Sequence, residues 1–215
     1  SDDLDRMDED RLALIKLTLP RPREAAFPVD LFDTARPDYP KVFQHKVKKK
    51  WGDYDVVAVY NFSAQPLKEE IALVRLRLKP DTQYSVWEFW NEEYLGSVKG
   101  KLTALVPPSS VRIYRLVENK GQPVLLATNL HMMMGEMEIE SCRWDPATGQ
   151  FSGYAIRPAG EKGNIYIWLP SGMEPEDPRG IWVGLASHES GQVVKIPLVF
   201  AEEGRAKFGV RFIPT

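Results

Sequence analysis

The chain has 215 residues, 43% hydrophobic and 27% charged, with a formal net charge of −2. That is room for one large or two small globular domains, and the charge balance excludes a general polyanion-binding surface. One cysteine, Cys142, excludes an intrachain disulfide framework and a multi-thiolate zinc site; the three histidines show no ligand spacing, and no apolar run is long enough to span a bilayer. Neither nucleic acid nor membrane is expected as a partner, and no metal or cofactor is expected.

The first readable element is a helix. Asp8 is its predicted cap, Glu9 and Asp10 favour its first turn, and Leu12, Ile15 and Leu19 follow at helical spacing until Pro20 and Pro22 stop it. Leu14 and Leu17 widen the apolar surface beyond one stripe. So short and apolar a helix, ahead of a β-rich chain, has no evident partner. It reads as the last helix of something that precedes it. The opening Ser1-Asp2-Asp3, without an initiator methionine, carries the same expectation of a processed product or a piece of a longer protein.

A linker from 20 to 40 holds Pro20, Pro22, Pro28, Pro37 and Pro40, which excludes regular helix or central strand. Within it, Pro28-Val29-Asp30-Leu31-Phe32 is expected to anchor on a domain surface.

From residue 41 the signals are β. A first strand over 42–47 runs into the basic stretch Lys46-Val47-Lys48-Lys49-Lys50, and Trp51-Gly52-Asp53 supplies turn chemistry, so a solvated hairpin tip is expected. Residues 54–62 are apolar at both parities, as in a strand covered on two sides. Ile71 and Leu73 share one phase while Val74, Leu76 and Leu78 take the other, which requires a bulge or a break. In 84–91, Tyr84, Val86 and Trp90 share one face and Trp87 and Phe89 the other. That strand needs cover on both sides, which predicts a neighbour beyond its own core. Strands over 94–98, 101–106 and 111–117 follow, the last two separated by Pro107 and Pro108.

The segment 118–123 is the best internal boundary, and a second strand series starts after it. Residues 136–144 alternate, with Met137 and Ile139 predicted inward and Glu136, Glu138 and Glu140 outward. Residues 145–149 suit a hairpin loop ending in a glycine. Further strands are expected over 151–157, 164–169, 180–187, 193–200 and 206–213. The predicted fold is all-β: two β-sandwich-like, Greek-key units preceded by a short N-terminal helix. The expected divisions are 1–27 for the helix and Pro-rich linker, 28–118 for the first sandwich and 119–215 for the second.

Several stretches carry a family resemblance: 10–12 through Leu19-Pro20, Pro28-Val29-Asp30-Leu31-Phe32, 55–63, 86–91, Glu93-Tyr94-Leu95-Gly96 and 106–111. Together they resemble the region that follows the catalytic barrel in melibiase-type (α-galactosidase-like) glycoside hydrolases. Residues 125–131 are similar to a segment beyond that region in some bacterial members. In such enzymes the catalytic acids are two barrel aspartates upstream of this region. A barrel needs on the order of 200 residues of alternating strand and helix, and here strand follows strand. The resemblance therefore implies a non-catalytic accessory region whose partner is the catalytic barrel of the parent chain. It implies Leu12, Ile15, Trp87 and Phe89 as barrel-facing contacts, and no catalytic residue within the chain.

Carbohydrate is the second expected partner, because flat aromatic faces stack on pyranose rings. Tyr166 and Trp168 share a parity opposite Ile165, Ile167 and Leu169, and Trp182 opposes Ile181, Val183 and Leu185. Trp51, Tyr166, Trp168 and Trp182 are thus the candidate glycan-stacking residues. The same face could instead cover a sheet or another domain. Glu88, Glu92, Glu93 and Asp55 are acid–base candidates by residue type alone. The alternative function is a free-standing carbohydrate-binding module or lectin.

Overall fold

The computed structural model describes residues 6–33, 39–177 and 191–215, together with the backbone of 182–184. The chain is all-β with one short N-terminal helix, α1 (Glu9–Thr18). Asp8 caps it as its spacing requires, accepting the Arg11 N–H at 2.8 Å. No residue of α1 is fully buried: Leu12, Ile15 and Leu17 are half-covered and Leu14 is exposed.

The first half forms β1 (Phe27–Pro28), β2 (Val42–Lys49), β3 (Gly52–Asn61), β4 (Leu67–Ala72), β5 (Tyr84–Glu88), β6 (Glu93–Val98), β7 (Lys101–Val106) and β8 (Ser110–Glu118). Six of these make an antiparallel sheet in the order β1-β2-β3-β8-β5-β6, and β4 pairs with β7 in a separate ribbon. The phase slip near Leu73 is a break: β4 ends at Ala72 and a 3-10 turn, Leu73–Leu76, buries Leu73 and Leu76 at its i, i+3 spacing. One face of the six-stranded sheet (Val57, Val59, Val86, Tyr114, Leu116) packs on Ile71, Leu102, Ala104 and Val106 of that ribbon.

The second half adds β9 (Val124–Thr128), β10 (Ile139–Asp145), β11 (Gln150–Ile156), β12 (Lys162–Leu169), β13 (Met173–Pro175), β14 (Trp182–Gly184), β15 (Gln192–Val199) and β16 (Arg205–Pro214). They form two four-stranded sheets, β14-β15-β12-β9 and β10-β11-β16-β13. Between them Ile165, Ile167, Leu169, Val194 and Ile196 meet Phe151, Phe208, Val210 and Phe212. The β12 alternation read from sequence thus holds on both faces.

A third core joins the halves. Leu126, Ala127, Tyr166, Trp168 and Val193 leave the second half's sandwich on its outer side and pack on Tyr54, Val56, Trp87, Phe89, Ile113 and Val117 of the six-stranded sheet. The molecule is therefore a stack of four β layers. Each large side chain buried there contributes about 1.5–3 kcal/mol.

Two expectations fail here. Trp87 and Phe89 do not await a barrel: they are 2% and 3% exposed, and the Trp87 ring lies 4.2 Å from the Tyr166 ring. The two-faced strand did need a second partner, and the chain's own second half supplies it. Glu138, expected outward, is 1% exposed. β10 begins only at Ile139 and its register shifts between Ile139 and Ser141, so parity does not carry across that segment. Thr128 Oγ1 donates to Glu138 Oε1, and burial raises the carboxyl's pKa. Of the strand expected over 180–187, the backbone of Trp182–Gly184 pairs with β15 and the rest lies outside the described residues.

Candidate functional site

The second half covers only part of the outer face of the six-stranded sheet. At the edge formed by the start of β2 and the end of β3, that face carries Phe43, Ala58, Tyr60 and, just past β3, Phe62. They line an apolar groove of about 390 Å³, whose walls include Tyr39, Pro22 and Met132. Tyr60 and Phe62 stack nearly parallel at 5.6 Å, Phe43 meets Tyr60 edge-on at 5.6 Å, and Tyr39 meets Phe62 edge-on at 4.5 Å. Phe62 is 52% and Tyr39 48% exposed, which is high for side chains within an aromatic cluster. Apart from its tyrosines, the ionisable residues on the groove wall are Glu24 and His45, and His45 Nε2 lies 2.9 Å from Glu136 Oε2.

The end of α1 is fastened close to this groove. Met132 N–H donates to Leu17 O at 2.9 Å, and His131 Nε2–H donates to Pro20 O at 3.1 Å. Met133 N–H donates to His131 Nδ1 at 3.1 Å, which leaves the ring's one neutral-state proton on Nε2. Burial, with nearby Arg157 adding to it, holds the His131 pKa down to about 4. Arg157 completes the fastening with donors to Leu19 O at 3.2 Å and to Lys16 O at 3.4 Å, carbonyls at the helix end. Met132, His131 and Arg157 thus hold the helix from the second half.

The acid–base candidates are occupied structurally. Glu88, 2% exposed, accepts the Asn91 N–H at 2.8 Å and the Trp90 N–H at 3.2 Å, pinning the turn after β5. Glu92 accepts Tyr166 Oη–H and the Asn129 amide, tying the halves together. Asp55 takes Gln44 Nε2 at 2.5 Å and Lys46 Nζ at 2.9 Å, and Glu93 is an exposed residue at the start of β6. Glu88 and Glu93 are cross-strand neighbours on the wall of one open cleft of about 910 Å³, where Glu88 is held by the turn N–H groups and faces Arg112 at 3.5 Å. Among the described residues, no group of three or more His, Cys, Asp or Glu could hold a metal ion.

The stacking candidates divide. Tyr166 and Trp168 are 2% and 1% exposed, so the face they share covers a sheet and is no platform for sugar. The Trp182 side chain lies outside the described residues. Trp51 is half-buried: its Nε1–H donates to Ile139 O at 3.3 Å and its ring stacks on Tyr54 at 5.8 Å. Tyr54 in turn donates to Met133 O at 2.8 Å. Sequence reasoning missed the Phe43, Tyr60 and Phe62 edge. Its signal was present in Tyr60 and Phe62, which share a parity at the end of an otherwise aliphatic strand.

No family model matches the chain, and no curated protein matches it. Solved structures that match part of the chain include glycoside hydrolases. An α-galactosidase I from Mortierella vinacea is 17% identical over 35% of this chain and 20% of its own, with a TM-score of 0.32. A GH27 β-L-arabinopyranosidase from Geobacillus stearothermophilus is 20% identical over 55% of this chain and 26% of its own, with a TM-score of 0.42. An isomalto-dextranase from Arthrobacter globiformis T6, complexed with panose, is 14% identical over 87% of this chain and 35% of its own, with a TM-score of 0.30. The chain spans between a fifth and about a third of the length of these solved chains.

Proposed function

We propose that this chain is the non-catalytic accessory β region of an α-galactosidase-like glycoside hydrolase, and that the Phe43–Tyr60–Phe62 groove with the adjoining α1 receives the parent's catalytic barrel. The observation that carries the reading is the aromatic groove itself: a chain of four contacting rings, two of them half-exposed, on a part of the sheet face that the second half leaves uncovered. The half-covered Leu12 and Ile15 and the exposed Leu14 extend that apolar surface along the helix. The motifs in 28–32, 55–63 and 93–96 support the same family. The role is mechanical: apolar surface on the accessory region and on the barrel is removed from water together, at about 25 cal/mol per Å².

The test uses the complete gene product and the 215-residue chain side by side. A Tyr60→Asp/Phe62→Asp double variant is expected to lower the thermal half-life of glycosidase activity in the complete product at least fivefold. The chain alone is expected to hydrolyse neither aryl α-galactosides nor aryl β-L-arabinopyranosides. Hydrolysis by the chain alone, or an unchanged half-life in the double variant, defeats the reading. Tight binding of a neutral galactoside in the groove, quenched by the same substitutions, would favour a carbohydrate-binding module instead.

A further inference from the structure

The β2–β3 ribbon has its aromatic groove at one end and its turn at the other, roughly 25 Å away at strand rise. At the turn, a second cleft of about 380 Å³ opens between the two halves. Lys49, Lys50 and Trp51 line it from the turn, Arg143 and Trp144 from β10, and Lys120 from the connection between the halves. Two carboxylates, Asp53 and Glu118, also line it, so cations outnumber anions on the rim by two to one. Arg143 is engaged with Asp145 at 3.3 Å, but among the described residues no carboxylate lies within ion-pair distance of Lys49, Lys50 or Lys120.

A further cation lines the cleft from within. Arg115 is 1% exposed; its Nη1–H donates to Met134 O and its Nη2–H to Leu125 O, and the guanidinium lies 3.7 Å from the centre of the Tyr54 ring. Its Nε has no hydrogen-bond partner among the described residues. Gly135 makes this possible: a Cβ there would stand 3.2 Å from both Arg115 Nη1 and the Trp51 ring, in a backbone conformation with φ of 129° that favours glycine. A buried, incompletely satisfied guanidinium raises the positive potential of the cleft above it. Cys142, also on the wall, stays a neutral thiol because burial pushes its pKa up to about 12, so thiolate chemistry is no use of this site.

We propose that this cleft binds a short anionic oligosaccharide, one or two pyranose rings carrying carboxylate or sulfate. The indoles of Trp51 and Trp144 offer apolar surface to the C–H face of a ring. The lysines neutralise the anion, and Asp53 and Glu118 accept from ring hydroxyls. The volume falls at the small end of ligand sites, which suits a terminal unit better than a long chain. That the ligand is a saccharide rests on the glycosidase reading above; that it is acidic rests on the cleft's own charges.

Calorimetric titration and tryptophan fluorescence of the whole chain with digalacturonate, a sulfated galactose disaccharide and neutral galactobiose test the proposal. At least one acidic sugar is expected to bind at least tenfold more tightly than galactobiose, and more weakly as salt rises. A Lys50→Glu/Lys120→Glu double variant, at exposed positions that leave the fold intact, is expected to weaken that binding at least tenfold. The two acidic arms decide between carboxylate and sulfate. Equal binding of galactobiose, no binding of any saccharide, or an unaffected double variant overturns the proposal, as does binding of adenosine diphosphate without binding of either acidic sugar. These readouts do not involve Phe62 or Tyr60, so failure here leaves the groove reading standing.

Discussion

One face of the six-stranded sheet carries two aromatic clusters with opposite surroundings. Around Tyr54, Trp87 and Phe89 the second half of the chain closes over the face and every ring is buried. Around Phe43, Tyr60 and Phe62 no strand of the second half closes over it among the described residues, and Phe62 stays half in water. The two clusters are similar in composition, so aromatic content alone does not say whether a face has its partner. What separates them is β12 and β9, whose outward residues reach only one end of the sheet.

Substitutions that treat the two ends alike should give unlike answers. Trp87→Ala opens a cavity between two layers and is expected to cost about 3–5 kcal/mol, read from urea denaturation of the chain. A loss under about 1 kcal/mol would mean that the junction contributes little and the two ends are equivalent after all.

The helix fastening should respond to acid. His131 is buried neutral, with its pKa depressed from the usual 6.5 to about 4. Above pH 6.5 neither folded nor unfolded chain protonates it. Between there and about pH 4 the unfolded chain takes up a proton that the folded one refuses, so stability falls as pH falls through this window and levels off below it. The loss is at most about 3 kcal/mol. His131→Gln keeps one donor and one acceptor without a titrating proton, so the difference between its denaturation profile and the parent's isolates the effect. Parallel profiles would remove His131 from the fastening.

Tyr54→Phe removes the donor to Met133 O at the sealed end and should cost about 1 kcal/mol, seen as a shift in melting temperature. Phe62→Ser at the open end should change the chain's own stability by less than about 0.5 kcal/mol. A large loss there would show that the groove is already part of a core.

Much of the fold was legible because strand parity is a local property. The two-sided strands β3 and β5, the break after Ala72 and the in–out alternation of β12 follow from spacing alone. The destination of an outward face was not legible. Trp87 and Tyr166 each announced an apolar face, yet nothing in either strand names the other, 79 positions away, as its partner. Glu138 was misread for a different reason: the turns from His131 onward delay β10, and parity counted through an irregular segment has no meaning. The cleft at the turn was half visible. The lysine run and Trp51 stood out, but Arg143, Trp144 and the buried Arg115 join them only through tertiary structure.

The fastening of α1 also sets an order of events. Pro20 and the histidine that holds its carbonyl are 111 positions apart, and Lys16 and its arginine are 141 apart. On a translating ribosome the leading segment would emerge roughly 5–20 s before the first of those anchors is made. During that interval the helix end lacks these partners, and it finds this seat only after the later-made segment has emerged.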